Sequence, residues 1–564
     1  MTTMLRSSGL LPRTLAPAFA LAFFFGVSPD AFAQAEAPNG ETTKPDAAPA
    51  TLPTSPDAGA LAPEVKPEAK TLPAPKLVEP ATAPVTAPVA APATSEAVPA
   101  VRTPAADTAA AKTASDTTSP IVASKSFGDL GSFQFGSYGR VNIASDLRGR
   151  TGKPTDIVAH GSRVDEESYA ELELRREDKF GDDIKTRIVT TLALLPPFFH
   201  FSGKPQDSIA VRQLYAQGTY KDWTIWGGAR MYRGDDIYLL NWWPLDNQNT
   251  VGGGVGKKFE SDTLVSVHAG MQRLDNPFQY QQIPNVAPYG FGSVPVTYLD
   301  RPRTIETIKV TQFYRNGDRR HPFGSDKAGM KAIVYGELHQ LPSGVTRDTT
   351  LNTDKQLQSE AGFLLGAQFT YWTGNRDGYV SVWARHARGL AAYDPLATPI
   401  TFGQDKNTSN ATETQFAVAG NYETGPFGLL FASYLRFFRD GSVSSTSHEK
   451  YDEGILIARP QAYFGEHFGL GVEGSYQVRR YQALERDTNK QLTASLLRGA
   501  IMPYFSPSGR GAFKRPQIGL IYAFTSRDAG ARSLYASEDV FSQRGLEHYA
   551  GIFTEWWFNS SSYP

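Results

Sequence analysis

The chain has 564 residues and a nearly balanced charge, with 56 Lys and Arg residues against 57 Asp and Glu residues. This balance gives no global case for nucleic-acid binding, because a footprint on phosphate needs a clear excess of basic residues. The sequence contains no Cys, which excludes disulfide scaffolds, thiolate zinc sites and thiol catalysis. The length and the uneven composition indicate more than one ordinary domain.

Residues 1–33 have the pattern of a secretory signal peptide. Arg6 and Arg13 precede an apolar run, and Ala31-Phe32-Ala33 supplies small residues at a cleavage site. Pro17 and later breaks keep this run shorter than the roughly 20 apolar residues that a membrane-spanning helix needs. We therefore expect a cleaved signal peptide rather than a signal anchor.

Residues 34–126 have the composition of a disordered linker. They contain no aromatic residue and 16 Pro residues among many Ala and Thr residues. Such a segment cannot bury enough apolar area to offset the entropy lost on ordering. The sequence predicts an extended, partly polyproline II arm, which is either a passive spacer or a tether for a partner.

Residues 127–564 form the third zone, which holds all eight Trp residues. No apolar run in it is long enough for a membrane helix. Polar and apolar residues instead alternate over stretches of about ten residues, separated by Gly-, Asp- and Asn-rich breaks. In one stretch Leu172 and Leu174 alternate with Glu171 and Glu173. This pattern is typical of a transmembrane antiparallel β-barrel.

Polar and apolar residues also alternate in the strands of a soluble β-sandwich, so this pattern alone does not show whether the strands face lipid or water. Charges in the middle of predicted strands, as at Glu171, Glu173 and Arg175, suit a wet lumen. The apolar faces often end in aromatic residues, as the girdles of membrane barrels do. With the signal peptide, these features predict an all-β barrel domain that contacts lipid in the outer membrane of a Gram-negative bacterium. The linker would then lie in the periplasm and bind any partner there.

Five short segments occur in a recognisable order and spacing, at residues 135–140, 168–172, 210–237, 513–516 and 555–558. In this order they resemble the maltoporin family, the trimeric sugar-selective porins of Gram-negative outer membranes. The resemblance is most specific between Arg212 and Asp246. The resemblance implies a barrel of about 18 strands, a homotrimer and oligosaccharide substrates.

The resemblance also implies an aromatic path along which sugars slide. A pyranose ring has an apolar C–H face that packs on flat aromatic side chains. The matching positions are Tyr138, Tyr169, Phe199, Phe513 and Trp557. Phe513 stands where the family usually has Trp, and Phe199 is assigned from position in place of a loop Trp of a neighbouring subunit. All except Phe199 fall on the polar parity of predicted strands; the alternative is a role in packing or in the girdles.

Ionised and polar residues beside this path are implied in the same way. Those that match the hydroxyl-binding track are Arg140, Arg163, Glu171 and Arg212. Those at the expected constriction are Arg233, Asn241 and Trp243, with Asn241 and Trp243 replacing the family's Asp and Tyr. Arg and Glu side chains on one wall can exchange hydrogen bonds with passing hydroxyls, or they can simply brace the wall.

Other motifs are expected to be structural. The nine His residues are scattered and suggest no metal pair, and the run Gly252–Gly256 lacks the Lys-Ser/Thr ending of a phosphate loop, so we expect a turn there. We expect no cofactor and no enzyme activity. The last strand ends at either Phe558 or Tyr563.

The sequence therefore predicts an outer-membrane channel for facilitated diffusion of oligosaccharides. One alternative is an outer-membrane anchor that is tethered to the periplasm through residues 34–126. A second alternative is a porin for other small solutes. The substitutions at the constriction leave the identity of the sugar open.

Overall fold

The structure is a computed structural model. It describes residues 131–194, 209–275, 278–286, 292–315, 328–374, 377–393, 408–441, 450–484 and 489–560. The predicted signal peptide, the predicted linker, Phe199 and Tyr563 lie outside these ranges. Among the described residues, no helix is both long and apolar enough to cross a membrane.

Strands dominate the described chain. They are β1 Gly131–Ser145, β2 Tyr169–Phe180, β3 Ile184–Leu194, β4 Ile209–Tyr220, β5 Trp223–Arg233, β6 Asn247–Lys258, β7 Thr263–Gln272, β8 Tyr280–Val286, β9 Ser293–Asp300, β10 Arg303–Arg315, β11 Gly329–Leu341, β12 Gly344–Asp348, β13 Thr353–Leu357, β14 Glu360–Trp372, β15 Tyr379–Gly389, β16 Thr412–Thr424, β17 Phe427–Arg439, β18 Lys450–Phe464, β19 Phe468–Leu484, β20 Gln491–Phe505, β21 Gln517–Arg527 and β22 Leu546–Phe558. The helical segments are single turns: Arg163–Asp165, Tyr238–Leu240, Leu390–Ala392, Ala529–Arg532 and Val540–Gln543.

Eighteen of these strands form one closed antiparallel barrel. The barrel closes where β22 pairs with β1, from Ser137 opposite Phe558 to Ser145 opposite Ala550. The hairpins β8–β9 and β12–β13 stand apart from the barrel sheet, within the connections β7–β10 and β11–β14. Closure leaves no unpaired edge, which a β-structure in lipid requires. The predicted all-β fold with about 18 strands is confirmed.

The alternation read from the sequence decides which way each side chain points. Leu172 and Leu174 are exposed on the outer surface, whereas Glu171 and Glu173 on the same strand are each 1% exposed and face the lumen. Successive strand residues point to opposite sides of the sheet. Lipid therefore meets apolar side chains, and the lumen receives the ionised ones.

The two ends of the barrel differ in the length of their connections. One end has tight turns, such as Lys221-Asp222 between β4 and β5, and the other has long loops. Outer-membrane barrels have short turns on the periplasmic side and longer loops outside. Gly131 at the start of β1 pairs with Asp178 next to the β2–β3 turn, so the chain enters the barrel at the periplasmic end.

Two local expectations are now decided. The last strand ends at Phe558, and Asn559 after it has a φ of 48°. The turn expected at Gly252–Gly256 is wrong, because this run lies inside β6. A Cβ atom on Gly254 would lie 2.2 Å from the ring of Trp226. Glycine in a strand marks such a close approach, so the run makes room for a side chain of the neighbouring strand.

Candidate functional site in the barrel lumen

The β1–β2 loop (residues 146–168) folds into the lumen and reaches the wall formed by β17–β21. The backbone N–H of Ile157 donates to the side chain of Gln477 at 3.0 Å, and the N–H of Ala159 donates to Glu453 at 3.2 Å. Buried backbone groups need hydrogen-bond partners, and here the opposite wall supplies them. These bonds hold the loop across the bore.

The β5–β6 loop (residues 234–246) also turns inward and follows the wall from β10 to β15. Lys309 on β10 lies 2.6 Å from Asp246, and Lys331 on β11 lies 2.5 Å from Asp235. The loop also places apolar side chains, such as the buried Leu245, against the inner face of the barrel. Ion pairs and packing together hold this loop against the wall.

The two loops meet near the middle of the lumen. The rings of His160 and Trp242 are stacked with centroids 4.4 Å apart. The amide of Asn241 donates to Glu166 Oε1 at 2.8 Å. An ionised Asp can only accept hydrogen bonds, so it could not replace Asn241 in this contact. Asn241, which stands where the family has Asp, therefore provides the donor that the Glu166 carboxylate on the other loop accepts.

Four of the five predicted slide residues line one continuous path in the lumen. The ring centroids of Tyr138 and Tyr169 are 6.1 Å apart, and Tyr138 pairs in register with Trp557 on β22. Trp557 and Phe513 both contact the ring of Tyr238, with centroid distances of 6.1 Å and 5.5 Å. The aromatic path therefore runs over β2, β1 and β22 toward the periplasmic end.

Phe513 reaches this path by a route that the sequence did not suggest. It was expected on a strand, but it lies in the connection between β20, which ends at Phe505, and β21, which begins at Gln517. Pro516 precedes β21 and has no N–H group to donate to a sheet, which is one reason that the strand begins after it. The parity argument for Phe513 was therefore wrong, although the ring does lie in the lumen.

Tyr238 and Tyr379 extend the aromatic path and were missed in the sequence. Tyr238 lies in the β5–β6 loop, where alternation does not predict orientation. Tyr379 begins β15, and its ring centroid is 6.3 Å from that of Phe513. With Phe513 and Trp557, Tyr379 lines an open cavity of about 790 Å³ at the periplasmic end. The available signal in the sequence was Gly374, Asp377 and Gly378 just before Tyr379, because such residues are typical of a turn that precedes a strand.

Glu555 on β22 is the centre of the ionised groups along this path. Its carboxylate lies 2.7 Å from Arg163 and 2.7 Å from Arg515, and it accepts a 2.7 Å hydrogen bond from the hydroxyl of Tyr238. Arg163 also donates to the hydroxyl of Tyr138 at 2.9 Å. Arg163 was predicted, whereas Glu555 and Arg515 were not, although both lie in segments that carry the family resemblance.

A second ionised cluster lies nearer the outer end. Arg212 Nε is 2.8 Å from Glu171 Oε1, and the hydroxyl of Tyr169 donates to the same carboxylate at 2.5 Å. The register of β4 against β3 shifts between Thr191 and Leu192, opposite Arg212. An irregularity of this kind changes the direction of a side chain. Glu171, Arg212 and Tyr169 were all predicted, and the structure brings them together.

The remaining predicted polar residues also lie in the lumen. Arg140 pairs with Glu166 at 2.6 Å and donates to the hydroxyl of Tyr138 at 3.1 Å. The guanidinium of Arg233 lies 4.0 Å from the ring centre of Trp243. Trp243 is therefore covered by a cation, which is a favourable contact on an indole ring.

Tyr238 lies in a densely filled part of the lumen. Arg163, Tyr238 and Glu555 line a cavity of only about 50 Å³, which is room for very few water molecules. The wider cavity below it begins at Phe513 and Trp557. Tyr238 therefore lines the small cavity and contacts the two rings at which the wider cavity begins.

Burial changes the acidity of groups on the inward loops. It raises the pKa of Asp236 to about 6, despite the opposing effect of Arg163. It raises the pKa of Asp165 to about 7, although Arg498 lies 3.0 Å away. Burial lowers the pKa of the His160 imidazole to about 3. Within the described ranges, no cluster of three or more His, Asp and Glu side chains could hold a metal ion.

Comparison with solved structures finds matches of low similarity, among them an outer membrane protein. The trimer form of in-vitro folded OmpT from Vibrio cholerae is 11% identical, with a TM-score of 0.34, over 76% of this chain and 100% of that chain. Acinetobacter baumannii OccAB2 is 10% identical, with a TM-score of 0.37, over 76% and 98%. Pseudomonas aeruginosa OpdQ is 8% identical, with a TM-score of 0.37, over 76% and 97%. A similarity search finds no matching curated protein.

Comparison with protein families gives a direct assignment. A family model described as LamB porin matches residues 133–558. The match begins in β1 and ends at the last residue of β22, so it covers the whole barrel and most of the chain. This chain is an outer-membrane β-barrel porin and belongs to the LamB porin family.

Proposed function

We propose that this porin is a channel for facilitated diffusion of oligosaccharides. The observation that carries the proposal is the row of lumen aromatics Tyr169, Tyr138 and Trp557, flanked by the ionised clusters around Glu171 and Glu555. Rings of this kind bind the apolar faces of pyranoses, and the clusters hydrogen-bond to the hydroxyl rims. The family match supports a porin, and this arrangement supports a saccharide as its solute.

The ionised clusters would keep the binding of a sugar at each position weak. Arg212 and Glu171 already bond to each other, so a sugar hydroxyl exchanges one hydrogen bond for another instead of filling an empty site. Conduction requires that each site bind strongly enough for entrance and weakly enough for release. Paired charges beside aromatic rings satisfy both conditions.

The direct test is sugar block of the reconstituted protein in planar bilayers. We expect single-channel currents that one or more of maltodextrins, sucrose and β-linked oligosaccharides reduce in a concentration-dependent way. Conductance with no block by any of these sugars would contradict the proposal and would favour a porin for other small solutes.

Two substitutions test the aromatic path itself. Tyr169→Ala and Trp557→Ala each remove one ring, and we expect sugar affinity to weaken by about threefold to tenfold for each. Tyr422→Ala is the matched control, because Tyr422 is 60% exposed on the outer face of β16. If sugar residence times are the same in all three variants and in the wild type, the path does not bind sugar.

Three further proposals come from the sequence, the first from the family resemblance and the other two from the composition of the N-terminal segments. The porin is a homotrimer, residues 1–33 are removed on export, and residues 34–126 form a periplasmic arm. The entry of the chain into β1 at the short-turn end supports the last of these. Phe199 remains a proposed slide residue outside the described ranges. Crosslinking of the purified protein and N-terminal sequencing test the trimer and the cleavage.

A further inference from the structure

A second group of lumen residues lies away from the aromatic path, on the wall formed by β4–β7. Its centre is Arg230 in β5, which pairs in register with Thr250 of β6. Trp226 and Tyr232 have the same parity on β5 and are buried on the lumen side, and Arg230 is half-buried between them. Neither the slide nor the clusters around Glu171 and Glu555 include these residues.

Two aromatic rings clamp the guanidinium of Arg230. Its central carbon lies 4.9 Å from the ring centre of Tyr215 and 4.8 Å from that of Trp226. Contact with ring faces stabilises the cation but does not use its N–H groups, which lie in the plane of the guanidinium. In the part of the chain that the structure describes, no carboxylate lies within ion-pair distance of Arg230.

On the two strands that flank this wall, lumen cations are paired with carboxylates. Arg187 on β3 lies 2.6 Å from Glu177, and Lys309 on β10 lies 2.6 Å from Asp246. Arg230 therefore differs from both, because it combines partial burial with a full set of planar donors and no described counter-charge. A planar guanidinium in this state is suited to bidentate binding of an anionic group.

Trp226, one of the two rings that contact Arg230, is itself packed against two further rings. The ring centroid of Trp226 is 6.0 Å from that of Tyr232 and 6.2 Å from that of His268, with interplanar angles of 15° and 9°. The rings of Tyr232 and His268 are 5.1 Å apart at 7°. Each of the three pairs is stacked, so Tyr232 and His268 fix the position of the Trp226 ring. The ring of Trp226 rests over Gly254 and Gly256 of β6. The glycine run in β6 therefore leaves room for the Trp226 ring, which in turn contacts the guanidinium of Arg230.

We infer that Arg230 is a binding site for the anionic group of an acidic saccharide, such as the carboxylate of a uronic acid, as it passes through the lumen. This inference rests on the proposed function and deepens it by naming a substrate class. The aromatic path on β1, β2 and β22 would bind the sugar rings, and Arg230 would select chains that carry negative charge. A charged hydrogen bond of this kind weakens as salt increases.

The test is current block by trigalacturonate, with its methyl-esterified form as the neutral control of the same length and linkage. We expect the wild-type protein to bind the acid trimer more tightly than the ester at low ionic strength, with the difference shrinking as KCl increases. This comparison needs no variant. Equal block by the two trimers at low salt would overturn the inference.

Arg230→Gln assigns the effect to one residue. We expect it to weaken block by the acid trimer about tenfold, and to leave both the conductance and the block by the ester unchanged. The control is the double variant Arg187→Gln/Glu177→Gln, which removes another lumen cation together with its partner and should retain the acid preference. An Arg230→Gln protein that keeps the wild-type preference would also overturn the inference.

The outcome is separable from that of the proposed function. If neutral sugars block the current and Tyr169→Ala weakens that block, the proposed sugar channel is supported whatever the result for Arg230. If no saccharide blocks, charged or neutral, the proposed function fails, and the inference at Arg230 fails with it.

Discussion

Tyr238 is a loop side chain that fills part of the lumen next to the aromatic path. It reaches from the β5–β6 loop to the opposite wall, where its hydroxyl bonds to Glu555 and its ring packs edge-on against Phe513 and Trp557. These two rings are also the ones over which a sugar would move toward the periplasm. Tyr238 therefore occupies space next to the path, and a passing sugar has to displace it or pass around it.

Replacing Tyr238 by Ala should widen the pore. We expect the single-channel conductance to rise about twofold, because a densely filled part of the lumen loses a large side chain. Tyr238→Phe keeps the ring and loses the bond to Glu555, so its conductance should stay close to that of the wild type. Single-channel recording in the same salt measures both variants, and equal conductance in the Ala variant and the wild type would show that another group sets the width.

The direction of a strand side chain could be read from the alternation in the sequence, whereas the predicted loop residues were assigned only through the family resemblance. Glu171 was placed in the lumen correctly, because parity on a strand decides its direction. Glu555 shares the lumen-facing parity of Trp557 on β22. It was overlooked as the partner of Arg163, because the two residues lie far apart in sequence. Tyr238 and Phe513 belong to connections, where nothing local determines where a side chain points.

At the scale of elements, the close contact between β5 and β6 depends on a missing side chain. Gly254→Ala would put a Cβ atom 2.2 Å from the Trp226 ring and 2.5 Å from the carbonyl oxygen of Val267. We expect a loss of stability of about 1–3 kcal/mol from overpacking, measured by denaturant unfolding in detergent. Gly218→Ala on β4 is the control, because a Cβ atom there meets nothing within 4 Å. Equal stability of the two variants would contradict this account.

The inward β1–β2 loop should make stability depend on pH. Burial raises the pKa of Asp165 to about 7, while an exposed Asp in the unfolded chain titrates near 4. The folded protein therefore binds more protons than the unfolded chain between these values. Its stability should fall as pH rises from about 4 to about 7 and then level off.

Asp165→Asn should remove this contribution. Its thermal unfolding midpoint should fall less between pH 4 and pH 7 than that of the wild type, as about one proton fewer is linked to folding. Asp262→Asn, on an exposed turn, is the control and should keep the wild-type slope. A wild-type slope in both variants would show that Asp165 is not the titrating group.

At the scale of the whole molecule, the barrel and the N-terminal arm should be separable. In the part of the chain that the structure describes, the contacts that form the lumen site all lie within the barrel and its loops. Deleting residues 34–126 should therefore leave conductance and sugar block unchanged in planar bilayers. An envelope defect in cells that carry the deletion, with normal conductance, would show an additional anchoring role for the arm. Loss of conductance would contradict the independence of the barrel.

The sequence by itself determined the class of fold, its orientation toward lipid and water, and the family. These follow from a period of two residues, which is a local property of the pleated strand, and from short segments whose order survives in the chain. The tertiary structure decided how the lumen is narrowed. The β1–β2 and β5–β6 loops are held by contacts such as Ile157 to Gln477 and Asp246 to Lys309, which join distant parts of the chain. No local pattern encodes such pairings, because they exist only once the barrel has closed around the loops.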